Sequence, residues 1–407
     1  MLKLSFALAL RNIIRNGRRS LMAVLAIGFG ITSLLLAAGF IEWNLRYGRE
    51  STIHSQLGHI RLFKPGYLES GQADPFAFLF PLPPEQLARV TSGLPVRTVA
   101  PRLFFSGLAS HEEATLSFIG EGVDPDLEGD LSRSITIVAG QAMDRGDPKG
   151  ILLGQGLAAN LGVKPGDMIV LVANTAGGRI NAVEGTVRGL FATITKAYDD
   201  SALRVPIGVA WQLLRVDGAH SYAVLLDRTE ETDAVLATLT ARFRGQPIEF
   251  VPWYRLADFY NKTAELFGRQ VGVVRLIIAV IILLSIANSL MMSVLERTGE
   301  IGMMMAVGTR RSQILSLFLS EGVLLGLFGG VLGLLAGWLA ALVISAIGIP
   351  MPAPPGMAFG YTAEILLTWP IAAQGFVLAI VTTLLAGIYP AWKASRKVIV
   401  DALRHNR

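Results

Sequence analysis

Residues 21–40, LMAVLAIGFGITSLLLAAGF, form an uncharged run of twenty. As a helix, a run of that length crosses the ~30 Å hydrocarbon core of a bilayer. Further apolar runs at 271–293, 313–346 and 369–391 repeat the feature. The chain is therefore expected to be an α-helical membrane protein with four transmembrane helices. For the first run a secretory leader is the alternative, given the basic residues before it and the small residues from Ala37 to Gly39. Its length exceeds the ~7–15 apolar residues of a leader, which favours an anchored span. Composition agrees: 52% of residues are hydrophobic and only 16% charged, against ~25% charged in soluble proteins. The mild net charge of +5 points to membrane orientation and not to nucleic acid. With no cysteine, disulfides, thiolate metal sites and lipidation on cysteine are excluded.

Residues 41–270 lose the apolar character. Short β-patterned runs, among them HIRLF, ATLSFIGEGV, DMIVLVA, GTVRGLFATI, SYAVLLD and IEFVPW, alternate with turn signals such as Lys164-Pro165-Gly166-Asp167. Helical stretches are expected at Pro84–Val90, Gly156–Leu161 and Glu230–Phe243. This predicts an α+β extracytoplasmic domain, with two subdomains, inserted between helices 1 and 2. One loop, DPFAFLFPLPP at 74–84, sets Phe76, Phe78 and Phe80 among prolines. It is either an edge strand tucked onto the core or a lipophilic contact surface for cargo or a carrier.

Lys and Arg set the orientation. The first twenty residues, MLKLSFALALRNIIRNGRRS, place apolar residues at helical spacing between basic ones, as an interfacial helix on anionic headgroups would. That segment, the loop 294–312 and the tail 392–407 are basic, whereas 347–368 contains neither Lys nor Arg. The positive-inside rule puts both termini and the 294–312 loop in the cytoplasm, and the loop around Gly356 outside. Within the spans, Arg275 is expected in the first turn of the second, its side chain reaching back to the interface. Asn288 is expected to hydrogen-bond to a neighbouring helix. Glu321, ~12 Å into the third, must face protein or water, a buried structural pair being favoured over a proton relay. That third segment, ~51 Å long as a helix, should protrude or bend. Gly322, Gly326 and Gly330 recur every fourth residue, as do Gly329, Gly333 and Gly337, giving two small faces for close helix packing.

The loop from Leu295 to Gly322 is unusually rich in charge and glycine: Glu296, Arg297, Glu300, Gly302, Gly308, Arg310 and Arg311. It predicts a short amphipathic helix over about Glu296–Val307, a break at Gly308 in the left-handed conformation, and Thr309 capping the next span. Met303, Met304 and Met305, with Ile301, supply an adaptable apolar face suited to a groove on another protein. An ordinary solvated loop is the plain alternative.

The run ERTGEIGMMMAVGTRRSQI, followed by Glu321 and Gly322, closely resembles the signature of the FtsX-like permease family. Its members are the membrane subunits of macrolide-exporter-type and lipoprotein-releasing ABC transporters. GQGLAANLGVKPGDMIVLV, VRGLFAT and VPIGVAWQLL are similar to that family's extracytoplasmic domain. The tail, with Pro390-Ala391 and Ala402-Leu403-Arg404, is similar to its closing pattern. The resemblance implies that the 294–312 loop is a coupling helix seated on a separate ABC ATPase subunit, which would bind ATP and Mg. It also implies a second permease copy, identical or a related paralogue, and a bacterial inner-membrane location with the large domain in the periplasm.

Catalysis finds little support in the residues. The five histidines form no HExxH or helical metal pair, and His54 and His59 are expected at the surface. No GxSxG occurs, and none of the eight lysines follows a glycine, so there is no Walker A loop. The chain is expected to be a non-enzymatic permease, without a cofactor of its own. The resemblance implies that it extracts or exports a lipophilic cargo such as lipoprotein, held near Phe40 and Phe267 in contact with membrane lipid and passed to a periplasmic carrier or adaptor. The alternative is a non-transporting regulator that relays ATPase state to an extracytoplasmic partner such as a cell-wall hydrolase.

Overall fold

The computed structural model describes residues 2–71, 73–144, 146–193, 195–352 and 360–396. Gly356 and the tail residues Ala402, Leu403 and Arg404 lie outside the described residues. The chain divides into two compact units. One comprises Met1–Leu45, Ala264–Pro350 and Thr362–Arg407; the other comprises Arg46–Thr263 and Met351–Tyr361.

The first unit is helical. An N-terminal helix, Leu2–Arg15, is followed by span 1, Gly17–Thr52. Span 2 is Asp258–Glu296, span 3 Arg311–Ile347 and span 4 Trp369–Ser395. All four are long and apolar enough to cross a membrane. Spans 1 and 2 run well past the expected 21–40 and 271–293. Between Phe40 and Thr52 no proline or capping glycine stops the helix, so it continues beyond its apolar run until a π-helical turn, Ile53–Leu57, and Gly58 at φ 68°. Span 2 likewise begins at Asp258, so Arg275 is deep in the helix and not in its first turn.

Side chains four apart form the core of this unit. Ile27, Ile31 and Leu35 of span 1 meet Ile278, Ile282, Ile286 and Leu290 of span 2, with Leu325, Ala379 and Ala386 closing the cluster. Span 3 uses its two glycine faces in opposite directions. A Cβ on Gly329 would stand 2.6 Å from Ile27 Cβ, and one on Gly333 would stand 2.7 Å from Ile31 Cβ, so this face lies on span 1. A Cβ on Gly326 would stand 2.2 Å from Thr383 Oγ1, and one on Gly330 would stand 3.1 Å from Phe376, so the other face lies on span 4. Absence of side chains lets three helices approach with span 3 between two neighbours. Asn288 departs from expectation: it is exposed on the single chain and makes no bond to a neighbouring helix.

Among the described residues the second unit is built on a sheet of ten strands: β1 Ile60–Phe63, β2 Val96–His111, β3 Ala114–Val123, β4 Thr136–Gly140, β5 Gly150–Gly154, β6 Met168–Asn174, β7 Ile180–Ala192, β8 Ala202–Pro206, β9 Ser221–Leu226 and β10 Glu249–Pro252. Their order is β10-β1-β9-β2-β3-β8-β5-β7-β4, and β6 pairs with both β2 and β7. That double pairing closes β2-β3-β8-β5-β7-β6 into a ring around a core that includes Leu103, Phe118, Ile151, Leu171 and Leu203. Of the remaining strands, β4 adds to β7, while β10, β1 and β9 form with the start of β2 a small sheet with its own core, roofed by the helices Pro84–Thr91 and Thr232–Arg242. The 16-residue β2 belongs to both parts. Its first half pairs with β9 and its second with β3.

Where those two parts join lies a buried ionic cluster. Arg102 on β2 and Arg204 on β8, each 1% exposed, face Glu121 on β3 and Glu128 just beyond it. Arg102 Nε is 3.0 Å from Glu121 Oε1, and Arg204 Nη2 is 2.8 Å from Glu121 Oε2. Glu128 pairs with Arg102 through a second contact. Burial pushes the Glu128 carboxyl up, but Arg102 and Arg204 hold it below the usual carboxylate range. Two cations thus balance two anions, the condition for tolerating charge away from water. Arg204 also donates to the carbonyl of Ser55 at 2.8 Å, fixing the π-helical turn.

The histidines expected at the surface are inside. His59 is 1% exposed; its Nδ1 accepts from Leu226 N–H and its Nε2 faces the Thr229 hydroxyl, each at 3.0 Å. His54 lies edge-on to it at 5.9 Å. In the same unit, Ile53 of the π-helical turn that carries His54 packs into the domain core. The 74–84 loop is not an edge strand. Asp74 caps a 3-10 turn at Pro75–Phe78, as proline at its first position favours.

Candidate coupling site

Span 2 ends at Glu296, and Arg297 turns the chain out of the helix. A nine-residue helix, Thr298–Ala306, follows, shorter at both ends than Glu296–Val307. Gly308 takes φ 97°, and the N–H groups of Gly308 and Thr309 reach back to the carbonyls of Met305 and Met304. This closes the helix as a left-handed glycine does. Arg310, not Thr309, is the N-cap of span 3; its N–H donates to Gln313 Oε1 at 2.8 Å. Thr309 is already used in closing the preceding helix.

Burial divides the expected contact residues into two sets. Arg297 is 8% exposed and Ile301 1%, and Gly302 is buried. Ile301 packs with Val294, Ile314, Phe318, Ala391 and Ala394, and Met304 and Met305 lean half-buried on the same cluster. These residues anchor the short helix to spans 2, 3 and 4 and are not free to meet a partner. Outward-facing are Met303 at 62% exposure, Val307 at 84%, Gly308, Arg310 and Arg311. Helical spacing explains the division: Ile301 and Met305 share one face, and Met303 and Val307 the opposite one.

The acidic residues have partners within the chain. Arg15 Nη2 grips both Glu300 oxygens, at 2.9 and 2.8 Å, and Arg19 pairs with Glu296. Arg297 Nε is 3.0 Å from Glu300 Oε2, and its Nη1 is 3.7 Å from Glu321 Oε2. Glu321 is buried at 4% exposure, with Arg297 as its ion-pair partner. A chain of alternating charge, Arg15–Glu300–Arg297–Glu321, therefore joins the N-terminal helix, the short helix and span 3. Glu300 is held below the usual carboxylate range: burial pushes it up, and the Arg15 and Arg297 guanidiniums outweigh that. The sequence carried the signal for this, since Arg15 and Arg19 stand four apart and so do Glu296 and Glu300. Each pair straddles a helix break, at Asn16 and at Arg297, so the two matched contacts hold one helix junction against the other.

Of the expected cargo residues, Phe40 on span 1 and Phe267 on span 2 are half-buried in the first unit. In the second unit, Phe76 packs against the core of the closed ring, and Phe78 lies edge-on to Tyr67 at 5.8 Å. Phe80 lies edge-on to Tyr222 at 5.2 Å and bridges to Ala219. All three thus engage their own domain. No group of His, Asp or Glu able to hold a metal ion occurs among the described residues.

Residues 272–399 match the family described as FtsX-like permease C-terminal, and residues 20–242 match the MacB-like periplasmic core domain. An uncharacterised ABC transporter permease of Methanocaldococcus jannaschii is 25% identical over 284 residues, covering 66% of this chain and 65% of that protein. The macrolide export ATP-binding/permease protein MacB of Escherichia coli O157:H7 is 37% identical over 143 residues, covering 35% of this chain but only 20% of MacB. The solved periplasmic region of MacB from Actinobacillus actinomycetemcomitans aligns over 50% of this chain and 94% of its own length, with a TM-score of 0.36 and 12% identity. With four apolar spans, a mixed α/β domain and both halves matched, the chain belongs to the FtsX/MacB-type family of ABC transporter permeases.

Proposed function

We propose that this permease couples ATP hydrolysis in a separate ABC ATPase subunit, which would carry ATP and Mg, to movement of its periplasmic domain. The helix Thr298–Ala306 is the coupling element. The observation that carries this reading is its two-sidedness. Ile301, Met304 and Met305 fix one face to spans 2, 3 and 4, while Met303, Val307, Arg310 and Arg311 present apolar and basic contacts outward. A solvated connector needs no such anchoring. Pressure on the outer face would pass through the buried cluster into span 2, which is one unbroken helix from Glu296 back to Asp258. The work done is movement of a lipophilic cargo such as lipoprotein, with both termini in the cytoplasm and a periplasmic carrier or adaptor receiving it. Glu300 acts here through Arg15, fixing the N-terminal helix to the coupling helix, and Glu296 through Arg19, joining spans 1 and 2 beside it.

The test is co-purification of the cognate ATPase with variants of the outward face. Met303→Glu and Val307→Glu should insert normally and lose association by about tenfold or more, since each puts an unpaired charge into an apolar contact. Leu108→Glu, far along the chain and exposed, is the control. Normal ATPase binding and full cellular activity in both loop variants would reduce this segment to a solvated connector.

A further inference from the structure

The first unit holds a cleft of about 330 Å³ between spans 1, 2 and 4. Its wall is apolar, with Ala38, Val271 and Ile371, and its polar groups are Glu42, Arg275, Thr368 and Gln374. Helix length fixes its depth. Arg19 and Glu296 are paired, marking one level on spans 1 and 2. From that level, Glu42 is about 34 Å along span 1 and Arg275 about 31 Å along span 2, at 1.5 Å per residue. Both distances match the ~30 Å hydrocarbon thickness. The two charges therefore stand together at the opposite membrane boundary, where Trp369, 89% exposed at the start of span 4, adds an interfacial aromatic.

The polar groups are not satisfied by each other. Arg275 donates through Nη2 to Gln374 Oε1; its Nε is enclosed by protein, and its Nη1 makes no hydrogen bond or ion pair among the described residues. Arg275 and Glu42 line the same cleft but are not joined as an ion pair. A guanidinium with donors to spare matches a phosphate, and a carboxylate beside it matches an ammonium. An acyl chain fits the apolar wall below them. We infer that this cleft is a binding site for a phospholipid with a phosphoethanolamine headgroup, its phosphate on Arg275 and its amine on Glu42. The carboxylate is what selects a zwitterion over an anionic lipid. The site is independent of ATPase coupling and requires only that the chain lie in the membrane.

The experiment is native mass spectrometry of the full chain, released from nanodiscs of phosphatidylethanolamine, phosphatidylglycerol and phosphatidylcholine in equal parts. The wild type should retain phosphatidylethanolamine over the other two. Arg275→Gln should lower retention of every phospholipid by about tenfold, as loss of charge-assisted hydrogen bonds does. Glu42→Gln should keep retention but erase the preference for the ethanolamine headgroup. Ala38→Phe leaves both charges and fills the wall; it should lower retention as Arg275→Gln does, and it replaces that variant if the latter does not fold. Equal retention of the three lipids by the wild type would overturn the site and leave only unspecific boundary lipid. So would retention unchanged in Ala38→Phe.

Discussion

His59 and His220 have an arrangement with a definite pH consequence. His220 is fully buried, with Nδ1 accepting the Phe104 N–H at 3.0 Å, and His59 accepts the Leu226 N–H in the same way. An imidazole that accepts at one nitrogen must be neutral or give up the bond. Burial is the main reason that both are pushed down to about 4. An unfolded histidine titrates near ~6.5. Above that value neither state is charged and the full stability is present. Between the two values the unfolded chain binds a proton that the folded chain refuses, so stability falls as pH drops from ~6.5 towards 4. The expected loss is roughly 2–3 kcal/mol per histidine over that window. Thermal unfolding of the detergent-solubilised chain between pH 7.5 and 4.5 should show it. His220→Gln should flatten the acid limb while lowering the neutral-pH midpoint. An identical acid slope in the variant would mean that His220 is already charged when folded. Neither histidine was recognisable as internal from sequence. His59 stands two residues before the charged Arg61, and it is the pairing of β1 with β9 and β10 that buries it.

Among elements, the spans announced themselves, because twenty apolar residues have few soluble alternatives. So did β3, whose expected and observed bounds coincide at Ala114–Val123. Hidden were β2, interrupted by Pro101 and Gly107, and β8, where the buried Arg204 looks in sequence like a solvent residue. The whole ionic cluster escaped for that reason: a charge signals water until the fold supplies its counter-charge. Residue burial around the coupling helix escaped too, since charge and glycine content do not say which face is anchored. The glycine faces of span 3 were legible as small stripes, but not which neighbour each would meet. They make a direct prediction. Gly333→Leu must displace Ile31 and the Gly28 carbonyl, whereas Gly272→Leu on span 2 meets open space. Overpacking of this kind costs about 1–3 kcal/mol. Gly333→Leu should therefore lower the midpoint of thermal unfolding in detergent by several degrees, and Gly272→Leu should leave it nearly unchanged. Equal effects would show that span 3 does not pack closely on span 1.

At the scale of the whole molecule, one surface of span 2 does not suit a single chain. Ile277, Ile281, Leu284, Asn288 and Leu295 are all exposed. Their spacings of four, three, four and seven are those of a seam between two helices. Four of them would be content in lipid. Asn288 would not, since an amide facing hydrocarbon leaves its donors and acceptors unpaired. A polar residue in such a seam is also the device that fixes pairing register. The expected partner is a second permease copy, identical or a paralogue, placing Asn288 against its counterpart and bringing two ATPases to one assembly. Because the chain has no cysteine, Asn288→Cys is a clean probe. In native membranes a mild oxidant should convert it to a covalent dimer, which requires Cα atoms within about 7 Å. Ile278→Cys, on the buried face, should remain monomeric. With a homodimer, Asn288→Leu should reduce the dimer fraction in native mass spectrometry without loss of inserted protein. With a paralogue, the Asn288→Cys variant would cross-link only when the paralogue carries a cysteine at the facing position. A chain that runs as a monomer bound to one ATPase, with no cross-link in either arrangement, would mean that Asn288 faces lipid.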